Sequence, residues 1–486
     1  MQDNILILGN DPSLAGLIAH TLRSQQVYAL PMPLDTPLQE GLAGGPKGII
    51  LAPNPAKKEE MSLPDLAYLS AGIPILALGS LAVSLCLHFG GETTECMVSP
   101  QAVTLWLKDH PLFEGMTGGE HVFRDLNYLT LPQNLTPLAT ATERVIGFVH
   151  EQYSLYGLQY PIEHNDPDAA QVLLNFATRL CHAQADWDEH TIIRQAVDQI
   201  REVAGEDRLL CAVSGGVDSM VCAKLAQMAV GDQLHCVFVD TGLLREGEAE
   251  SVIVSCKENL GLNLYHLDAR EAFLRAMAGI SSPADKERIT LTLLKQLLHK
   301  ELISDPSLKT LALGTNFNDT LYGDPSGLAD TQDKPDETGH RLVEPLRALF
   351  KEEVRRLGIA LSLPPSIVER QAFPSSGLAL RIQGEVTQER LSLLRKADGI
   401  FVEELRLGGY EKKLWQYYAT LWEAPLSPGS YVIVLRALQT AQQSAYTARL
   451  PFDLLERTTQ RILASMTGVQ QVIYDLTPSM HYSQQE

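Results

Sequence analysis

The sequence predicts an α/β protein: two parallel-sheet domains covered by helices, then a small α+β domain. Three observations carry the prediction. Short apolar β runs alternate with helical patterns over the first part of the chain, as a parallel sheet with helical crossovers requires. The alternation restarts near residue 208 after a polar helical stretch. At 486 residues the chain is too long for one core, so several domains are expected.

Taken in order, "NILILGN" reads as a strand, "SLAGLIAHTLRSQQ" as a helix, and "KGIILAP" and "IPILALG" as further strands. The polar, helical stretch "ATRLCHAQADWDEHTIIRQAVDQIREVAGEDR" places the first boundary near residue 187. A second α/β unit opens with "RLLCAVSGG" and continues through the strands "QLHCVFVDTG", "LNLYHLDA" and "LKTLALGTN". Residues 323–340, "GDPSGLADTQDKPDETGH", have loop composition. A third unit starts near Gln371, with a helix in "TQERLSLLRKADGIFVEELRLG", a strand in "SYVIVLRAL", and a helix and strand in "FDLLERTTQRILASMTGVQQVIYDL". The expected divisions are 1–187, 188–371 and 372–486, without internal repeats.

Charge restricts the partners. With 39 basic against 59 acidic residues the formal charge is −20, a field that repels nucleic acid while permitting a local basic pocket. The seven cysteines (86, 96, 181, 211, 222, 236 and 256) form no CxxC pair, which argues against a zinc site or a disulfide framework. No apolar run reaches the roughly 18 residues of a membrane span, and "MQDNILILGN" enters a strand without a basic leader. A cytoplasmic enzyme without nucleic-acid or membrane partners is the expectation.

The most informative stretch is "CAVSGGVDSMVCAKLA". A strand ends at Val213, and Ser214-Gly215-Gly216-Val217-Asp218-Ser219 leads into a helix. Two glycines let successive N–H groups converge on one point, and the helix adds its positive end, which suits a pyrophosphate. Ser214 and Ser219 can donate hydroxyl hydrogen bonds. Asp218 would repel phosphate unless Mg²⁺ lies between them. The absence of a following Lys-Ser/Thr separates this loop from that of kinases and ATPases, and it matches the SGGxDS loop of ATP pyrophosphatases.

Downstream residues fit the same site. Asp240 ends the next strand, where a crevice opens in a parallel sheet, and can accept from ribose or adenine or else cap the following helix. Gly314 ends another strand and permits close approach to a base. Lys351, in "LFKEEVRRLG", either reaches phosphate oxygens or is a solvated helix lysine.

On these residues the chain resembles the GMP synthase family from end to end, most clearly in "SGGVDS", "CVFVDTGLLR", "LVEPLRALFKEEVRRLG", "RQAFPSSGLALRIQGE" and "LLRKADGIFVEEL". The resemblance implies a class I glutamine amidotransferase domain, an ATP pyrophosphatase domain and a C-terminal domain that forms a homodimer. It also implies adenylation of the C2 oxygen of xanthosine monophosphate by ATP, with Mg²⁺, followed by displacement of AMP by ammonia.

The first domain departs from that pattern. The strand-to-helix elbow in "PILALGSLAVSL" carries Gly79 where the family has its cysteine nucleophile. Pro161 stands at the place of the catalytic histidine; Glu163 remains, and His164 is one place too far along. The expected oxyanion loop reads Ala52-Pro53-Asn54-Pro55, in which proline supplies no N–H. Ser80 lacks a base and an oxyanion hole, and Cys86 falls nearly two turns into the helix. No glutaminase activity is expected, so ammonia must come from solution or from a separate amidotransferase.

The acceptor region departs as well. The family's Gly-rich lid segment reads "DKPDETGHRLVEPL" with only His340 left, and its PGPG turn has become Pro374-Ser375-Ser376-Gly377, although Arg381 and Glu385 persist. The tail reads "YDLTPSMHYSQQE" without lysine. Arg436 can meet a phosphate or form an interface salt bridge, and Lys286 lies where the family has a lysine near the catalytic mouth, or on a solvated helix. Xanthosine monophosphate is the default acceptor; the alternatives are another acceptor for the same chemistry or a non-catalytic nucleotide-binding paralogue.

Overall fold

Four apolar runs, Ile5–Gly9, Gly48–Ala52, Ile75–Leu78 and Leu155–Leu158, lie side by side as the buried middle of the first sheet. Such runs are apolar throughout because helices cover both faces of a parallel sheet. The structure is a computed structural model and describes residues 3–477 except 55–62, 98–100, 117–118, 124–125, 163–165, 322–339, 372, 425–426, 428 and 442–443. The loop expected over 323–340, Glu163, His164, Pro55 and the end of the tail therefore lie outside the described residues, apart from His340.

Contacts divide the chain into two units, Met1–Thr191 and Ile192–Glu486. The boundary expected at 187 falls just before the helix Glu189–Ala204, whose first turn belongs to the first unit. In that unit the parallel order is Ala29–Pro33, Ile5–Gly9, Gly48–Ala52, Ile75–Leu78, Leu155–Leu158. Asp11 caps the helix Pro12–Ser24 by accepting from the N–H groups of Ser13 and Leu14. Beyond Leu155–Leu158 the sheet continues antiparallel through Arg144–His150, Thr136–Ala141, Gln101–Leu107 and Gly119–Phe123, which the sequence reading did not place. Gln101–Leu107 alternates exposed and buried residues, the mark of a strand with one solvated face.

The second unit holds an all-parallel sheet in the order Leu264–Asp268, Leu234–Asp240, Arg208–Ala212, Leu308–Ala312, Arg341–Val343. From Arg208–Ala212 the chain first builds outward on one side, then crosses to the other. The carboxyl ends of Arg208–Ala212 and Leu308–Ala312 thus flank a topological switch point, where open α/β sheets bind ligands.

Toward the C-terminus, Gln416–Glu423, Tyr431–Ala441 and Ser444–Thr447 pair antiparallel, and Val469–Tyr474 joins Tyr431–Ala441 in parallel. The helix Gln388–Leu407, capped by Thr387, packs on this sheet beside Phe452–Ser465. Residues on both sides of the expected 371/372 boundary share one hydrophobic cluster, from Leu243, Phe273 and Met277 to Leu394, Phe401 and Leu435. Among the described residues no helix is long and apolar enough to cross a membrane.

Candidate active site

At the switch point the chain leaves the strand Arg208–Ala212 and turns into the helix Val217–Val230. The turn closes on itself: the Ser214 N–H donates to Ser219 Oγ at 3.1 Å, and that hydroxyl donates to the Gly216 carbonyl at 3.0 Å. Gly215 has φ +82°, and a Cβ there would lie 2.2 Å from Val252 Cγ2, so only glycine fits. Gly216 is the N-cap and offers no side chain to the first-turn N–H groups. Val217 buries its side chain and can meet a ligand only through its backbone.

Asp218 stands in the first helical turn. Its Oδ2 accepts from Lys351 Nζ at 2.5 Å, while its Oδ1 is buried without a hydrogen-bond partner. Lys351 opens the helix Lys351–Ala360, and its own N–H donates to Asn318 Oδ1 at 3.2 Å. Lys351, expected either to reach phosphate oxygens or to be a solvated helix lysine, sits beside Asp218 with its side chain half-buried. Asp319 is within electrostatic reach of both, a carboxylate the sequence reading passed over although it stands just after the quoted "LKTLALGTN". A buried carboxylate oxygen without a protein partner is the hard donor that Mg²⁺ takes. Among the described residues no group of three or more His, Cys, Asp or Glu could hold a metal alone, so phosphate and water oxygens would complete the shell.

A Cβ at Gly314 would sit 2.8 Å from Asp218 C and O and Ser219 N, so Gly314 lies in close approach to the loop's own peptide. Asp240 is buried and accepts from the Gly242 N–H at 2.9 Å; His266 Nε2 and Arg270 Nε stand 3.8 Å from its Oδ2. It does not cap the helix Glu248–Val254, whose N-cap is Gly247. A pocket of about 230 Å³ opens beside Asp240, walled by Gly242, Arg245, Arg270 and Arg395.

The elbow of the first unit also turns from a parallel strand into a helix, with different occupants. Ile75–Leu78 ends at Gly79, which takes φ +51° and opens the helix Gly79–His88. A Cβ at Gly79 would meet Pro53 Cγ at 3.0 Å. Ser80 is exposed; Cys86 is buried, and burial pushes its thiol up to about 11. Pro161 follows Tyr160, whose hydroxyl pairs with His121 Nδ1 at 2.9 Å and donates to Asp166 Oδ2 at 3.2 Å. Asp166 is occupied in capping the helix Pro167–Asn175.

Residues 6–179 match the family model "Glutamine amidotransferase class-I", and residues 403–480 match "GMP synthase C terminal domain". Over 485 residues the chain is 34% identical to a GMP synthase (glutamine-hydrolyzing) of Caldicellulosiruptor saccharolyticus, covering 95% of each. A protein of the same description from Thermomicrobium roseum is 36% identical over 502 residues, covering 98% of this chain and 95% of its own. A third, from Symbiobacterium thermophilum, is 35% identical over 502 residues, with 98% and 97% covered. The chain belongs to the GMP synthase family.

Within that family frame the four residues expected to touch the acceptor nucleotide divide. Lys286 is 1% exposed on the helix Pro283–Ser304, and its Nζ donates to the carbonyls of Ala379 at 3.1 Å and Ile382 at 2.7 Å. Burial lowers its pKa to about 8. It is no solvated lysine: through these two carbonyls it ties the helix Pro283–Ser304 to the turn Gly377–Arg381 and the residue after it. Arg381, on that turn, lies over the Tyr418 ring at 4.0 Å and the Phe373 ring at 5.1 Å. Glu385 accepts from the Gly279 N–H at 2.8 Å. Arg436 pairs with Asp475 at 3.2 Å and donates to the Thr477 carbonyl at 2.8 Å, so its guanidinium engages the chain's own tail.

Sequence reasoning missed Arg370. Its Nη1 donates to the Gly215 carbonyl at 2.8 Å and its Nη2 pairs with Glu248. The only signal was its place at the head of the quoted "RQAFPSSGLALRIQGE".

Proposed function

We propose that this chain is an ATP-dependent C–N ligase that adenylates xanthosine monophosphate and aminates it with ammonia not made by its own first unit. The observation that carries the reading is Asp218, with one oxygen on Lys351 and the other buried without a protein partner, at the mouth of a loop of converging N–H groups. In this reading the amides of Gly216 to Ser219 bind the pyrophosphate portion of ATP. Lys351 holds Asp218 in place by a charge-assisted hydrogen bond.

The acceptor's C2 oxygen attacks the α-phosphorus, and the bond to the β-phosphoryl oxygen breaks. Loop amides receive the charge that develops on departing pyrophosphate. Ammonia then adds at C2, the C–O bond breaks, and AMP leaves with that oxygen as the added nitrogen loses protons. No side-chain nucleophile is needed. Mg²⁺, when bound at Asp218 Oδ1, supplies Lewis-acid neutralisation of the phosphate charge.

Gly79 supports the second half of the proposal. A thiol nucleophile needs a side chain at the elbow, and there the space above Gly79 belongs to Pro53. Proline also withholds the N–H that an oxyanion loop requires. The relatives' descriptions include glutamine hydrolysis; in this reading Gly79 leaves the present chain without the nucleophile for it. Dimerisation through residues 372–486, the functional divisions at 187 and 371, and a cytoplasmic site of action belong to the same reading.

The test of the loop is Asp218→Asn. Pyrophosphate release from ATP with xanthosine monophosphate, ammonium and Mg²⁺ is expected to fall about 10³-fold or more. Unchanged turnover in this variant would overturn the assignment.

A further inference from the structure

We infer that Arg370 is a positioning residue for the anion loop: its guanidinium, held by Glu248, fixes the Gly215–Gly216 peptide so that the Gly216 N–H faces the phosphate. The inference rests on the proposed ATP site and adds a residue from a distant part of the chain to it.

In a trans peptide the carbonyl oxygen and the following N–H point to opposite sides. Arg370 Nη1 takes the Gly215 carbonyl at 2.8 Å from one side, so the N–H of the same peptide is turned to the other. There it meets only a long contact, 3.4 Å to Ser214 Oγ, which an anion with a better acceptor can displace. Gly215 needs such a hold more than other residues do. Glycine at φ +82° has little intrinsic preference for one conformer, and a flexible peptide would lose entropy on closing around an anion.

Arg370 is itself fixed at both ends. Its Nη2 pairs with Glu248, whose side chain is buried and whose other oxygen accepts from the Arg245 N–H at 2.7 Å. The next residue, Gln371, exchanges two hydrogen bonds with the Tyr417 backbone, at 3.0 and 3.1 Å. Arg245 Nη2 donates to the Tyr417 carbonyl at 3.1 Å as well. The backbone that carries Arg370 is thereby anchored to the strand Gln416–Glu423, whose Tyr418 underlies Arg381. The guanidinium approaches the loop as a braced fork. A lysine could reach the carbonyl but could not span carbonyl and carboxylate in the same planar geometry.

The experiment compares Arg370→Gln and Arg370→Lys with the native full-length chain, reading KM for MgATP, KM for the acceptor and kcat, with melting temperature alongside. Arg370→Gln is expected to raise KM for MgATP 10- to 50-fold while the acceptor KM stays within twofold; Arg370→Lys recovers part of that loss. Binding of inorganic pyrophosphate with Mg²⁺, followed by titration calorimetry, weakens in parallel. A purely structural role would lower the melting temperature and the active fraction while leaving KM for MgATP unchanged, and that result would overturn the inference. Asp218→Asn is the control on the site itself. If it loses activity while Arg370→Gln keeps a native KM for MgATP, the positioning role alone fails. If it stays active, the loop is not the site.

Discussion

The chain contains two strand-to-helix elbows built on a left-handed glycine, Gly79 in the first unit and Gly215 in the second. Both follow a buried parallel strand and both open a helix. Around Gly215 stand two serines, Asp218, Lys351 and Arg370, each engaged with the loop or with one another. Around Gly79 stand Pro53, an exposed Ser80 and an inward-facing Cys86. The comparison teaches that the elbow is a property of the fold and the chemistry a property of its occupants. On the proposed reading, a backbone can keep the elbow of an active site without its nucleophile.

The largest expected difference between the elbows is the loss of turnover in Asp218→Asn already described, which no single change near Gly79 should match under ammonium-dependent assay. Next comes the same substitution made at both glycines. Gly215→Ala brings a Cβ to 2.2 Å from Val252 Cγ2 and 3.0 Å from Arg370 Nη1 at φ +82°. It is expected to cost about 2–4 kcal/mol of stability and to weaken MgATP binding at least tenfold. Gly79→Ala meets only Pro53 Cγ at 3.0 Å and is expected to cost about 1 kcal/mol, with ammonium-dependent turnover unchanged. Urea unfolding and steady-state kinetics on the two variants check the contrast; equal kinetic effects would erase it.

The last effect is on stability alone and concerns Lys286, the buried lysine that holds the carbonyls of Ala379 and Ile382. Its pKa is lowered from 10.5 to about 8, first by burial and then by the charge of Arg390. Between those values the unfolded chain holds a proton that the folded chain has released, so stability from this group rises with pH from about 8 to 10.5 and is independent of pH below about 8. Lys286→Met should flatten that rise by roughly 1–3 kcal/mol, seen as a loss of the pH dependence of urea unfolding over this window. A profile unchanged from the native one would exclude the buried ammonium as its source.

Much of this was legible in the sequence. Apolar runs such as "ILILG" and "LHCVFVD" announce buried parallel strands because both faces are covered, and the glycine-serine-aspartate phase of the loop follows from what a phosphate needs. The antiparallel extension after Leu155–Leu158 was harder to see, since half-exposed strands mix polar residues into every run. The intrachain partners of Lys286 and Arg436 were not legible, because both are cations in a polar context and sequence does not show that the Ile382 carbonyl or Asp475 comes within reach. Arg370 was invisible because its partner, the Gly215 carbonyl, lies 155 positions away and carries no side-chain signal.

The central claim is that one elbow performs chemistry and the other does not. A single preparation given ATP, Mg²⁺ and xanthosine monophosphate, with either ammonium or glutamine as nitrogen donor, tests it most directly when pyrophosphate and glutamate are measured together. Pyrophosphate with ammonium, and no glutamate with glutamine, is the result expected of a loaded loop and a bare Gly79. Glutamate released from glutamine would contradict the account.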